Sequence, residues 1–366
     1  MEKQANSRRQ FLRNVSMGGL ALTPALSSLS AYIPATNKKL GVALVGLGGY
    51  SSGQLAPALQ QTRHCYLAGI ATGTPAKARD WSARYNIPDA NIYNYENFDS
   101  IADNPAIDIV YIVLPVSMHK EFTIRAAKAG KHVICEKPMA LNAAECADMI
   151  AACKNAGRLL SIGYRLHFEP YNQEMMRLGQ QEVYGKVLEI DCANGYTWGQ
   201  QTNVWRLKKS MAGGGGLMDM GVYAIQGARY VMGSEPLYVT AREEKKRPQL
   251  FTEVDETIYF QLEFPGGAIA QGVSSYNANL DHLKVKAAKG AFELTAAYRY
   301  GGQAGRTPKG PMQFPAVVQQ AIQMDDFAQC VRDNKPSRVP GEMGLKDMKV
   351  IDAIYRSLQS GKKEKI

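Results

Sequence analysis

The run 39–45, Lys-Leu-Gly-Val-Ala-Leu-Val, passes directly into Gly46-Leu47-Gly48-Gly49-Tyr50-Ser51, and no other segment constrains the chain as strongly. An apolar, β-branched stretch of this kind reads as a strand buried on both faces. The segment behind the glycines, 53–61, has the periodicity of a helix. Strand, glycine turn and helix in succession form the pattern of a dinucleotide-binding βαβ unit. Gly46 permits the tight turn, and Gly48 lets the backbone approach a pyrophosphate. The helix N-terminus offers free N–H groups and positive potential to the phosphates. Ser51 stands where a third glycine is common, and its small side chain fits there. Leu47, Gly49 and Tyr50 complete the candidate cofactor turn.

The second apolar run, 66–71, ends in Thr72-Gly73-Thr74-Pro75-Ala76-Lys77, with no Asp or Glu between Cys65 and Arg79. A carboxylate at this place would bind the ribose 2′-hydroxyl of NAD. Hydroxyls, Gly73 and Lys77 suit a 2′-phosphate instead, so the expected cofactor is NADP, with NAD as the lesser choice. Further strands are read at 108–114 and 131–135, and helices at 120–129 and 143–156. Alternating strands and helices define a parallel, doubly wound sheet. A short strand around 159–164 marks its exit.

Leu114, Pro115 and His119 follow one strand end, and Glu136-Lys137-Pro138 follows the next. Ligands of open α/β sheets bind at such carboxyl ends. A lysine there can hold a substrate hydroxyl and lower the pKa of a neighbouring acid or base.

These segments fall in a recognisable order with Gly163-Tyr164-Arg165 and Gly214-Gly-Gly-Leu-Met-Asp219-Met-Gly-Val-Tyr223. In that order the chain resembles the Gfo/Idh/MocA oxidoreductases, and in particular the glucose–fructose oxidoreductases. The similarity runs from about Leu40 to about Ser360. It implies a catalytic set of Lys137, Asp219 and Tyr223. Tyr223 stands where many members carry histidine, and would act as the acid/base. A phenol in water ionises near pH 10, so a tyrosine base needs a neighbouring cation. Asp219, four residues before Tyr223, shares its face if the segment is helical. Arg165 is a candidate cofactor contact. Trp205, Arg206 and Tyr276 are candidate substrate contacts, with Lys137, Asp219 and Tyr223.

Beyond residue 160 the pattern changes. Runs at 187–193, 237–242, 256–264, 268–275 and 284–288 read as strands of a mostly antiparallel sheet, with a hairpin turn at Gly266-Gly267. Helices are read at 221–232, 317–334 and 344–361, and a loop at 301–315. The expected fold is α/β plus α+β. Residues 36–160 would form a Rossmann domain, and 161–366 an open-sheet domain for substrate binding and oligomerisation. Resemblance implies a homodimer or homotetramer through the uncovered face of that sheet.

Residues 7–13, Ser-Arg-Arg-Gln-Phe-Leu-Arg, and the moderately apolar run after them read as a twin-arginine signal with a short arm, covering 1–35. It is too short and interrupted for a membrane anchor. The expected destination is the periplasm. The formal charge is +10, but the basic residues are scattered apart from Lys208–Lys209, Lys245–Arg247 and the tail Lys362, Lys363 and Lys365, and no nucleic-acid-binding signature accompanies them. The six cysteines show no Cys-x-x-Cys pair and no zinc spacing, so no metal is expected. Cys146 and Cys153 would lie about 10 Å apart along one helix, too far for a disulfide.

The function expected from all this is oxidation of an aldose at C1 to a lactone. The hydride would pass to a tightly bound nicotinamide cofactor that a second sugar can re-oxidise. The alternatives are an NAD-dependent glycosidase of the same fold and a non-enzymatic sugar- or nucleotide-binding protein.

Overall fold

The computed structural model describes residues 38–366; the expected signal segment, 1–35, lies outside them. Six parallel strands form the first sheet: β1 (Leu40–Val45), β2 (Cys65–Ala71), β3 (Ile92–Tyr93), β4 (Ile109–Ile112), β5 (His132–Cys135) and β6 (Leu160–Ile162). Their spatial order is β3-β2-β1-β4-β5-β6. β1 pairs on one side with β2, Leu44 opposite Ile70, and on the other with β4, Leu44 opposite Tyr111. The order reverses at β1, which creates the crevice where such sheets take ligands. β3 is only two residues long, too short to leave a periodic signal in the sequence.

The turn after β1 depends on Gly46. Its φ is +94°, and a Cβ there would meet the Val113 carbonyl oxygen at 2.5 Å. The chain becomes helical at Gly49, earlier than periodicity indicates, through a wide π-helical turn at Ser51–Leu55. Ser51 is fully buried, and its hydroxyl donates to the Gly46 carbonyl at 2.6 Å. The third-glycine position therefore serves to staple the turn.

The second sheet has nine strands: β7 (Val187–Gly195), β8 (Tyr238–Glu244), β9 (Thr257–Glu263), β10 (Ile269–Ser275), β11 (Leu280–Ala287), β12 (Gly290–Thr295), β13 (Ala304–Thr307), β14 (Gly310–Pro311) and β15 (Glu364–Lys365). The order is β14-β13-β12-β11-β7-β10-β9-β8-β15, and only β7 and β10 pair in parallel. Gly266 and Gly267 turn between β9 and β10 with φ of +78° and +88°. The stretch 301–315, read as a loop, carries the short edge strands β13 and β14. They are polar and glycine-rich, so no alternation announced them. Burial alternates along β11: Leu283, Val285 and Ala287 face in, while Lys284 and Lys286 face out.

Two late helices tie the sheets together. Gln319–Asp333 packs Met324 and Phe327 into the same core as Val42, Leu44 and Ile109 of the first sheet. Truncating a buried aromatic such as Phe327 to alanine costs about 3–5 kcal/mol. Gly341–Ser360 lies against the helix Ala143–Asn155 and against β8. All six cysteines are free. No helix among the described residues is long and apolar enough to cross a membrane, and no group of three or more His, Cys, Asp or Glu among them could hold a metal ion.

Candidate active site

A cavity of about 340 Å³ opens at the carboxyl ends of the first sheet. The turns after four strands line it: Gly46–Tyr50 after β1, Thr72, Thr74 and Lys77 after β2, Val113–Val116 after β4, and Glu136–Pro138 after β5. His119, Trp205, Arg206, Asp219, Tyr223 and Tyr276 complete the wall, with Tyr95 and Tyr300. A second cavity, of about 1030 Å³, lies on the side of the large sheet and shares Lys137, Arg206, Asp219, Tyr223 and Tyr300 with the first.

The three residues expected to carry the chemistry meet where the cavities join. Lys137 Nζ donates to the Asp219 backbone oxygen at 2.7 Å and lies 3.5 Å from its Oδ1. The same ammonium is 4.4 Å from the Tyr223 ring centroid. Arg206 Nε lies 3.6 Å from Asp219 Oδ2, to which Tyr276 donates its hydroxyl proton at 3.0 Å. Burial opposes the charge of Asp219. Lys137, Arg206 and the Tyr276 hydrogen bond outweigh it and hold the carboxyl below its usual value. Asp219 is therefore an anion that fixes the cation beside Tyr223.

The backbone bearing Asp219 is not α-helical. Leu217–Gly221 is a π-helical turn, and the α-helix begins at Val222. Such turns recur at functional sites because they re-aim side chains. Asp255, just before β9, anchors this one. Its carboxylate accepts the N–H of Gly215 at 2.7 Å, the N–H of Leu217 at 2.8 Å and the Tyr355 hydroxyl at 2.7 Å. The approach explains the glycine run. A Cβ at Gly215 would meet the Asp255 carbonyl oxygen at 2.0 Å, and one at Gly214 the Tyr355 hydroxyl at 1.8 Å. Farther along, Arg229 pairs with Asp347 and with Glu235, and Gln226 donates to Asp347 at 2.8 Å. This pins the helix Val222–Met232 to Gly341–Ser360.

Sequence reasoning did not single out Asp255, Asp347, Glu256 or Arg247. Arg247 appears in the sequence as one of three clustered basic residues. In the structure it pairs with fully buried Glu256 at 2.7 Å and donates to the Tyr276 carbonyl at 2.6 Å. It thereby holds the tyrosine that holds Asp219. No spacing rule signals such pairs.

Three expected cofactor contacts do not line the first cavity. Ser51 is turned inward to Gly46. Gly73 packs against the Tyr95 ring, 3.0 Å from where its Cβ would be. Arg165 lies beyond the Tyr223 ring, its guanidinium carbon 5.2 Å from that centroid and 4.3 Å from the centroid of Tyr300. It lines the second cavity, and its hydrogen bonds go to the carbonyls of Tyr298 and Arg299 and to Gln319. His119 does reach the first cavity wall, but both ring nitrogens face backbone carbonyls: Leu114 at 2.8 Å and Pro138 at 3.0 Å. Burial pushes its pKa down. It braces the Lys137 loop against the end of β4. Glu136 points beneath Lys137 and accepts the Tyr111 hydroxyl at 2.7 Å, with burial raising its pKa.

The cleft fits a dinucleotide. A Cβ at Gly48 or Gly49 would have nothing within 4 Å, so the turn presents open space beside a helix N-terminus. Thr72, Thr74 and Lys77 lie where the adenosine ribose binds in such folds, and no carboxylate lines that end.

Fold and cleft together define a two-domain oxidoreductase. Residues 40–164 match the model of the oxidoreductase family with an NAD-binding Rossmann fold, and residues 172–293 match the Gfo/Idh/MocA C-terminal domain. The chain belongs to the Gfo/Idh/MocA oxidoreductase family. It is 42% identical to the crystal structure of an aldose-aldose oxidoreductase from Caulobacter crescentus complexed with glycerol, with a TM-score of 0.87 over 90% of this chain and 100% of that one. It is 27% identical to a D-xylose 1-dehydrogenase [NADP(+)] from Haloarcula marismortui, over 89% of this chain and 93% of the relative. Levoglucosan dehydrogenase in complex with NADH and L-sorbose shares the fold, with a TM-score of 0.77 at 22% identity over 90% of this chain and 99% of that one.

Proposed function

We propose that the protein is an NADP-dependent sugar oxidoreductase that oxidises an aldose at C1 to the lactone and is returned to its starting state by a second sugar. The observation that carries this is the Lys137–Asp219–Tyr223 cluster at the junction of a dinucleotide cleft and a polar cavity. Similarity to an aldose-aldose oxidoreductase and to D-xylose 1-dehydrogenases supports it. When bound, the nicotinamide supplies the hydride acceptor. Tyr223, in its phenolate form, takes the proton of the anomeric hydroxyl as the C1 hydride leaves. Lys137 stabilises the oxygen charge that develops, and Asp219 holds Lys137 in place. Tyr223 then gives its proton to the carbonyl oxygen of the second sugar as that carbon receives the hydride. Thr72, Thr74 and Lys77 would receive a 2′-phosphate.

The test is to add glucose to the purified protein and follow reduced-nicotinamide fluorescence. A rise that decays when fructose or another sugar is supplied is expected. Release of nitrophenol from a nitrophenyl glycoside, without that rise, would favour the glycosidase reading instead.

Two further parts of the proposal rest on sequence. Export to the periplasm by the twin-arginine route rests on residues 7–13, and cell fractionation of a variant with Arg8 and Arg9 changed to lysine tests it. Assembly into a homodimer or homotetramer through the outer face of the large sheet rests on family resemblance, and light scattering in solution tests it.

A further inference from the structure

Tyr300 and Tyr223 are the two aromatic residues that wall both cavities. The two differ sharply in exposure: Tyr223 is 8% exposed, while Tyr300 is 48% exposed. Burial therefore does not hold the Tyr300 ring; two contacts do. One is a stack on Tyr50, with ring centroids 6.1 Å apart at 27°. The other is the Arg165 guanidinium, 4.3 Å from the Tyr300 centroid. A buried, permanently charged guanidinium against an aromatic face is attractive.

The loop carrying Tyr300 is fastened at its backbone. Arg165 donates to the Tyr298 and Arg299 carbonyls, and Gln319 and Gln303 also donate to the Arg299 carbonyl, at 3.0 and 2.6 Å. Gln319 opens the helix that packs into the first sheet's core. The loop thus has a fixed base on Arg165 and that helix, and a ring reaching across to the glycine turn. Gly301 and Gly302 follow directly, giving the chain freedom beyond the ring.

We propose that Tyr50 and Tyr300 form a clasp over the first cavity that retains the dinucleotide while sugars exchange through the second. This deepens the reading given above and rests on the cleft taking a nicotinamide dinucleotide. Tyr50 lines only the first cavity, whereas Lys137, Asp219 and Tyr223 open onto both. Sugars therefore reach the reacting groups without parting the stack, and the dinucleotide leaves only when the stack opens. An enzyme that passes a hydride between two sugars needs this asymmetry of release.

The experiment loads the protein with NADPH and follows its release after mixing with excess NAD-free buffer and a trapping nucleotide, by stopped-flow fluorescence. Nucleotide retained after gel filtration is measured in parallel. Tyr300→Ala should release NADPH about tenfold faster than the unaltered protein, the scale of one lost aromatic stack with its buried area. Tyr300→Phe, which keeps the ring, should release at the unaltered rate. Tyr50→Ala combined with Tyr300→Ala should release more slowly than the product of the two single effects, because both break the same stack. Equal release from Tyr300→Ala and the unaltered protein overturns the clasp while leaving the cofactor reading intact. So does Tyr300→Phe releasing as fast as Tyr300→Ala, or additive effects in the double variant. An unaltered protein that binds no nicotinamide nucleotide overturns the cofactor reading and the clasp with it.

Discussion

The Lys137 ammonium sits 4.4 Å from the Tyr223 ring centroid while donating to the backbone oxygen of Asp219 at 2.7 Å. The cation that lies against the Tyr223 ring is thus held by the residue four places before that tyrosine. Removing the hydroxyl in Tyr223→Phe should lower kcat by about 10²–10⁴-fold, the range of a lost general acid/base. Lys137→Met should do similar damage, and the double variant should lose little more, since the two act as a unit. Single-turnover hydride transfer measures this. Full turnover by Tyr223→Phe would exclude the phenol as the acid/base.

Cofactor choice is a separate prediction. Lys77, Thr72 and Thr74 line the ribose end of the cleft without a carboxylate. Lys77→Glu places a negative charge beside the expected 2′-phosphate and offers a hydroxyl acceptor. The Kd for NADPH should rise by about tenfold or more, and that for NADH should stay level or fall. Fluorescence titration with both nucleotides decides. Equal effects on the two would place the phosphate elsewhere.

Asp255 takes three hydrogen bonds, two of them from the backbone that starts the Asp219 turn. In Asp255→Ala the N–H groups of Gly215 and Leu217 lose their acceptor in a buried place, which costs about 1–3 kcal/mol for each left unpaired. Asp219 would shift with the turn, so kcat should fall although residue 255 touches no substrate. Asp255→Asn keeps one oxygen and should fall between. Denaturant unfolding and kcat, measured on the same samples, test this; an unchanged midpoint would refute the anchoring role.

The readable part of this protein is local. The glycine turn, the βα alternation and the Glu136-Lys137-Pro138 strand end are short-range patterns. Each of Gly46, Lys137 and Tyr223 sits at an end where an element points it into the cleft. The unreadable part is made by residues far apart in sequence. Asp255 caps a turn 38 residues before it, and Gln323 reaches Tyr111 across 212 residues to extend the Glu136 network. Arg165 matched a motif, yet the motif does not say that its charge would be spent on carbonyls of the 298–299 loop. His119 likewise has the expected position at the cavity wall, while both of its ring nitrogens face backbone carbonyls. The strands of 301–315 were hidden because edge strands of glycine and polar residues carry no alternation.

Acid should weaken the fold in a particular window. Burial pushes the pKa of His132 and of His167 down to about 4. Both start from an ordinary value near 6.5 in the unfolded chain, so the native state favours the neutral rings. That contribution is fully present above pH 6.5. It is lost as pH falls through the folded values near 4. Tm should therefore decline between pH 6.5 and 4, before most carboxylates titrate. His132 Nδ1 accepts the Leu159 N–H at 3.1 Å, a role an asparagine oxygen can fill. His132→Asn should keep that bond, remove one titrating group and flatten the decline. Calorimetry at half-unit pH steps measures the slope. An identical slope in the variant would show that His132 is already charged in the native state or that its ring is freely hydrated.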